Sequence, residues 1–162
     1  YHKKGDNCMN KMLSSSPCFK AGTKVLTKVG YKEIEKVSLE DEVLTHENKW
    51  SKVKNIAQSE NMGLWKIKTR NGFKFYVTPN HIFWTVMAEG NDFTKHEFKT
   101  VENLTTEDYL ISLIKPDGSG KATYDYDRVV NIEKTDRVVT VYGIEVEGEP
   151  TYIVNDKIVY SM

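Results

Sequence analysis

Cys18 opens the run Cys18-Phe19-Lys20-Ala21-Gly22-Thr23-Lys24-Val25, and further on the chain reads Val77-Thr78-Pro79-Asn80-His81. A thiol placed directly after a peptide carbonyl, with a Thr-x-x-His to follow, suits attack on the chain's own backbone. A free thiol ionises at about pH 8.5, so only a small fraction is thiolate at neutrality, but that fraction is strongly nucleophilic. Attack by Cys18 Sγ on the Pro17 carbonyl gives a tetrahedral oxyanion. This collapses to a thioester once the Cys18 nitrogen leaves protonated. An imidazole titrating near neutrality fits the acid at that nitrogen, and His81 is the candidate. Thr78 offers a hydroxyl to the developing oxyanion or to the strained amide. Pro79 fixes φ and Asn80 favours a turn, so Thr78 and His81, three residues apart, face one centre. Thr23 is the candidate for the far wall.

The elements that must position these groups read as strands. Thr23–Thr27, Leu64–Lys68, Phe73–Val77 and Val138–Tyr142 alternate, or are β-branched and aromatic. Turn signals fall at Val29-Gly30, Asn71-Gly72, Glu147-Gly148 and Asn155-Asp156. Short helices are expected at 32–36 and 99–103, too brief to set the fold class. The chain also repeats itself. Lys32–Leu44 lies over Lys99–Ile111 at an offset of 67, with apolar positions and a Glu-Asp pair in register. Val53–Ile56 then matches Val129–Ile132 at an offset of 76, as Tyr76-Val77 matches Tyr152-Ile153. The extra residues fall around Lys115–Lys121, read as an exposed loop. Gly118-Ser119-Gly120-Lys121-Ala122 lacks both the spacer and the Ser or Thr of a phosphate-binding loop. Two copies of one β-unit predict an all-β, intertwined, pseudo-two-fold body, since neither copy alone closes its apolar face.

The bulk numbers exclude several classes. The 162 residues fit one domain, with 1–17 read as a polar flank of a host protein and 18–162 as the folded unit. Basic and acidic side chains balance at 23 each, so no basic field points to nucleic acid. Two cysteines, Cys8 and Cys18, are too few for a disulfide scaffold or a Cys-rich zinc site. The four histidines show no ligand spacing, and neither a metal nor an organic cofactor is expected. A Cys8–Cys18 bridge is geometrically possible and stays open beside the catalytic assignment of Cys18. No apolar run approaches the roughly 20 residues of a membrane-spanning helix. The start at Tyr1, without a signal-peptide core, reads as a window from a longer chain, and leaves localisation open. The expected state is a monomer.

Together these blocks resemble the Hint domain, the self-processing module of inteins and of the C-terminal parts of hedgehog proteins. Cys18-Phe19-x-x-Gly22-Thr23-x-Val25 resembles the first splicing block and Val77–His81 the second. Val141–Gly148 resembles the block near the end, and Tyr152–Asn155 the strand after it. The resemblance implies a horseshoe-shaped β fold and an N-to-S acyl shift at Pro17–Cys18. Cys18 would be the nucleophile, His81 the acid and Thr78 the carbonyl stabiliser, with the flanking polypeptide as substrate.

The C-terminal half departs from that pattern. Inteins end in His-Asn before Cys, Ser or Thr, whereas Tyr160 and Ser161 stand at those places here. Gly143 replaces an acidic residue, and Pro150 stands near a position that is often His. A serine cannot form a succinimide, no neighbouring side chain supplies the missing acid and base, and Asn155 has no His before it. C-terminal cleavage is therefore expected to be impaired. Hydrolysis, or capture by a small thiol or another external nucleophile, then resolves the thioester. Two alternatives stay open: hedgehog-type transfer, which Asn55 at the position of the activating acid argues against, and an inactive Hint fold kept as a structural or binding module. The crowded Pro17 carbonyl predicts slow thioester formation.

Overall fold

The computed structural model describes residues 18–87, 93–148 and 151–161, with backbone alone at 61 and 62. The flank 1–17, with Cys8 and Pro17, and Pro150 lie outside the described residues. Among the described residues the regular structure is β, with two 3-10 turns and no α-helix. The strands are β1 (Phe19–Lys20), β2 (Lys24–Thr27), β3 (Gly30–Glu33), β4 (Glu42–Leu44), β5 (Trp50–Thr69) and β6 (Lys74–Val77). They continue as β7 (Ile82–Met87), β8 (His96–Thr100), β9 (Asp108–Leu113), β10 (Tyr124–Val146), β11 (Thr151–Val154) and β12 (Lys157–Tyr160). The two expected helices are single 3-10 turns, Ile34–Lys36 and Val101–Asn103, each flanked by extended residues that stop propagation.

The duplication is physical. Lys32 Nζ holds Asp41 at 2.9 Å, and Lys99 Nζ holds Asp108 at 2.9 Å. Asp41 Oδ2 accepts the Ser38 N–H at 2.8 Å, and Asp108 Oδ2 accepts the Thr105 N–H at 2.8 Å. Each 3-10 turn begins with an N–H donated back across the unit, from Ile34 to Thr23 O and from Val101 to His81 O, both at 2.8 Å. Thr23 and His81 are thus counterparts in the two copies. The copies exchange strands: β1 pairs with β10, β2 with β11, and the long β5 and β10 run antiparallel from Thr69↔Val129 to Val53↔Val146. Their shared core collects Phe19, Val25, Phe75, Val77, Phe83, Leu110, Ile144 and Tyr152. Alternation along each strand sends these side chains to one face.

The 115–121 segment is mostly exposed, as expected, but it is pinned. Asn48 Oδ1 accepts the Gly118 N–H at 3.1 Å and its Nδ2 donates to Ser119 O at 2.8 Å. Gly118 has φ +80°, and a Cβ there would lie 2.1 Å from Trp50 Nε1. Only glycine satisfies both demands.

Candidate active site

Cys18 precedes β1 and is fully buried. Its carbonyl accepts the Thr78 N–H at 3.2 Å, and the His81 N–H closes the turn onto Thr78 O at 3.0 Å. Phe19 pairs with Val77 on one side and Tyr142 on the other, so β1 is clamped between β6 and β10. This is how residues some sixty positions apart come to share one corner. The strand alternation divides them: the Cys18 side chain packs with Ala57, Leu64 and Val141, whereas the Phe19 ring meets the His81 ring at 4.4 Å between centroids.

His81 is fully buried between Phe19 and Phe83, the second ring at 4.3 Å. Among the described residues neither imidazole nitrogen has a hydrogen-bond partner, nor does Thr78 Oγ1 or Asn80 Oδ1. Burial holds the His81 pKa well below the ordinary imidazole range. Four polar atoms without partners in one four-residue turn is a concentration that native interiors rarely tolerate. Thr23 behaves differently. Its hydroxyl donates to Lys20 O at 2.7 Å and staples its own turn.

Cys18 is not a free thiol: it is disulfide-bonded. Cys8, the other half of the bridge that the sequence leaves open, lies outside the described residues. A bridged sulfur becomes nucleophilic again once reduced.

The two ends of the domain rest on one stretch of β10. Phe19 pairs with Tyr142, while Ser161 Oγ accepts the Val146 N–H at 2.7 Å and donates to Ile144 O at 3.3 Å. No protein-family model matches the chain. Solved structures do. The DnaB intein of Synechocystis sp. PCC 6803 superposes with a TM-score of 0.74 at 19% identity, covering 91% of this chain and 99% of that one. The gp41-1 intein gives 0.71 at 21% identity, covering 90% and 98%, and the DnaX mini intein of Spirulina platensis 0.70 at 23%, covering 89% and 99%. The fold is that of the mini-inteins. At these identities the likeness is one of fold. By sequence, the chain is 29% identical over 113 residues to the ATP-dependent DNA helicase Hel308 of Thermococcus kodakarensis, and it spans 10% of that protein's length.

In this intein-like fold the C-terminal corner is filled by other contacts. Ser161 is buried and bonded as above, Gly143 sits in register with Ala57, and the Tyr160 ring packs edge-on against Phe98 at 4.9 Å. Asn155 takes φ +46° at the β11–β12 turn, and its side chain bonds the Lys24 N–H and Lys74 O. Asn55 Oδ1 accepts the N–H of its neighbour Ile56. Sequence reasoning missed His46, whose Nδ1 lies 2.7 Å from Thr151 Oγ1, opposite Tyr160 in the hairpin. His46 and Thr151 stand 105 positions apart, so no local signal points to it. Among the described residues no cluster of His, Cys, Asp and Glu is arranged to hold a metal ion, and no helix is long and apolar enough to cross a membrane.

Proposed function

We propose that this chain is a self-processing, intein-like domain that acts on its own flanking polypeptide by an N-to-S acyl shift at Pro17–Cys18. The observation that carries the reading is the turn at 78–81: it bonds the Cys18 carbonyl and leaves Thr78 and His81 without partners of their own. In the reduced chain, Cys18 Sγ forms a bond to the Pro17 carbonyl carbon. Thr78 Oγ1 donates to the oxyanion, and His81 delivers a proton to the Cys18 nitrogen as the C–N bond breaks. The products are a Pro17 thioester on Sγ and a free Cys18 amine. Water or a small thiol then takes the acyl group and restores the cysteine.

Sulfur and imidazole have different jobs in this scheme, and they pack against different neighbours, Cys18 with Ala57, Leu64 and Val141 and the His81 ring with Phe19 and Phe83. His81 attends the departing nitrogen and not the attacking sulfur. The acid must be loaded with a proton from solution, because burial favours the neutral ring. C-terminal cleavage is disarmed: Ser161 has no amide to cyclise, and its hydroxyl is spent on Ile144 and Val146. Splicing by the unaided chain does not follow from this chemistry.

The test is incubation of the reduced chain with hydroxylamine, followed by mass spectrometry. The expected product is residues 1–17 bearing a hydroxamate on Pro17. Cys18→Ala abolishes it, and Thr78→Ala slows it by about two to three orders of magnitude, the usual effect of losing one oxyanion donor. Persistent cleavage in Cys18→Ala would show that the nucleophile is misassigned. A reduced chain that stays intact for days would favour a binding module instead.

A further inference from the structure

We propose that the sheet face over Cys18 recruits the nucleophile that resolves the thioester, and that it favours a small anionic thiol. The proposal rests on the processing reading above and names the acceptor class for that site. Phe19 points into the main core, and its neighbours Cys18 and Lys20 face the other way. There Cys18 packs with Ala57, Leu64 and Val141, and Tyr76 and Val139 lie against them. Lys20 stands opposite Val141, Lys66 opposite Tyr76, and Lys68 opposite Lys74. Cross-strand partners share a face, so these cations surround the cover of the sulfur. Lys20 Nζ lies 4.8 Å from the Tyr76 ring centroid, and the Arg137 guanidinium carbon lies 4.5 Å from it. One ring thus carries two cations. The carboxylate in register with this group is Glu133, opposite Lys66 and 3.2 Å from its Nζ. Among the described residues no ion pair joins a carboxylate to Lys20, Lys68, Lys74 or Arg137.

Grouped cations of one sign attract anions, and raise their local concentration or on-rate by about ten- to a thousandfold at low salt. A thiolate bearing a sulfonate carries two negative charges, whereas one bearing an ammonium carries none overall. The first is therefore drawn to this face and the second is not. The exchange balances without a further reactant. The incoming thiolate sulfur bonds to the Pro17 carbonyl carbon. Cys18 Sγ leaves with the electron pair of the old C–S bond and takes a proton from solution. Residues 1–17 depart as a thioester of the small thiol.

The experiment uses the full chain, reduced with a phosphine that is then removed, and three thiols: 2-mercaptoethanesulfonate, 2-mercaptoethanol and 2-aminoethanethiol. Release of 1–17 is followed by mass spectrometry in the range where it rises in proportion to thiol. Rates are expressed per thiolate, which removes differences in thiol pKa. At about 10 mM ionic strength the sulfonate should outpace the amine at least about tenfold, with the neutral thiol between them. At about 1 M salt, where the screening length is about 3 Å, the three should fall within about twofold. The double variant Lys20→Gln, Arg137→Gln should shrink the low-salt contrast to less than about threefold. Each contrast is a ratio within one protein, so a general change in stability or in thioester formation cancels. The wild-type salt series stands without any variant. Equal rates per thiolate at low salt, a contrast that survives 1 M salt, or an unchanged contrast in the double variant overturns the anionic acceptor while leaving the acyl shift standing. If neither the thiols nor hydroxylamine release 1–17, the processing reading falls and this assignment falls with it.

Discussion

A neutral imidazole held in an aromatic sandwich must make the fold acid-sensitive, and the size of the effect can be worked out in advance. In the unfolded chain His81 titrates at about pH 6.5. In the folded chain burial between Phe19 and Phe83 keeps the pKa well below that. Between those two values the unfolded state binds the extra proton. Stability is therefore full above pH 6.5 and falls as pH drops, by about 1.4 kcal/mol per unit at the steepest. Each pH unit between the two pKa values therefore costs up to about 1.4 kcal/mol, which for a domain of this size is a drop in Tm of about 3–6 °C.

The assay is thermal melting at constant ionic strength across pH 5.0–7.5, on wild type and His81→Gln. Glutamine keeps a polar side chain but cannot titrate. His96, also lowered by partial burial, and the carboxylates contribute equally to both proteins. The difference in slope thus isolates His81. Parallel lines would refute the argument, because they would mean that the ring is protonated in the fold or reaches water.

Three further outcomes follow from the same geometry. Between the depressed imidazole pKa and the thiol at about 8.5, thiolate gains tenfold per unit while imidazolium loses tenfold. The rate of 1–17 release from the reduced chain should therefore be flat from below pH 6.5 to about 8, and a steady rise with pH would exclude His81 as the proton donor. Lys157 is buried, with Nζ 3.0 Å from Asp127, Asp156 and Ser112 and 4.5 Å from the Phe73 ring centroid. The Asp127 Oδ2 contact is one of charge, outside hydrogen-bond geometry, so Asp127 depends on that ammonium. Lys157→Met should cost about 3–5 kcal/mol in urea unfolding, with part recovered by adding Asp127→Asn; a loss below about 1 kcal/mol would contradict the pairing. Gly118→Ala should expel the loop from Trp50, shifting indole fluorescence to the red and destabilising by about 1–3 kcal/mol.

The repeat was legible because each copy spends its polar residues identically. A lysine, a hydroxyl residue and an aspartate recur at fixed spacing, and in both copies they build the same bonded turn. The Thr78-to-His81 turn was legible for a similar reason, since Pro79 and Asn80 specify it locally. What escaped depends on distant chain. Asn155-Asp156 reads as a turn, and nothing local marks Lys157 as interior, because Asp127 and Phe73 arrive from remote chain. Thr23, the candidate for the far wall, spends its hydroxyl on Lys20 O within its own turn. The Cys18 disulfide escaped because spacing permits a bridge without requiring one.

The asymmetry between the two corners is the strongest physical argument about what the domain retains. A buried polar group without a partner costs about 1–3 kcal/mol, so a fold does not keep several in one turn without some use for them. At the Cys18 corner Thr78, Asn80 and His81 keep such atoms. At the Ser161 corner the hydroxyl both accepts and donates, knitting the end of β12 onto β10. The same β10 segment thus carries unsatisfied polar groups at one end and a bonded clasp at the other. The serine there is explained by packing alone, and the chemistry proposed for this chain belongs entirely to the other corner.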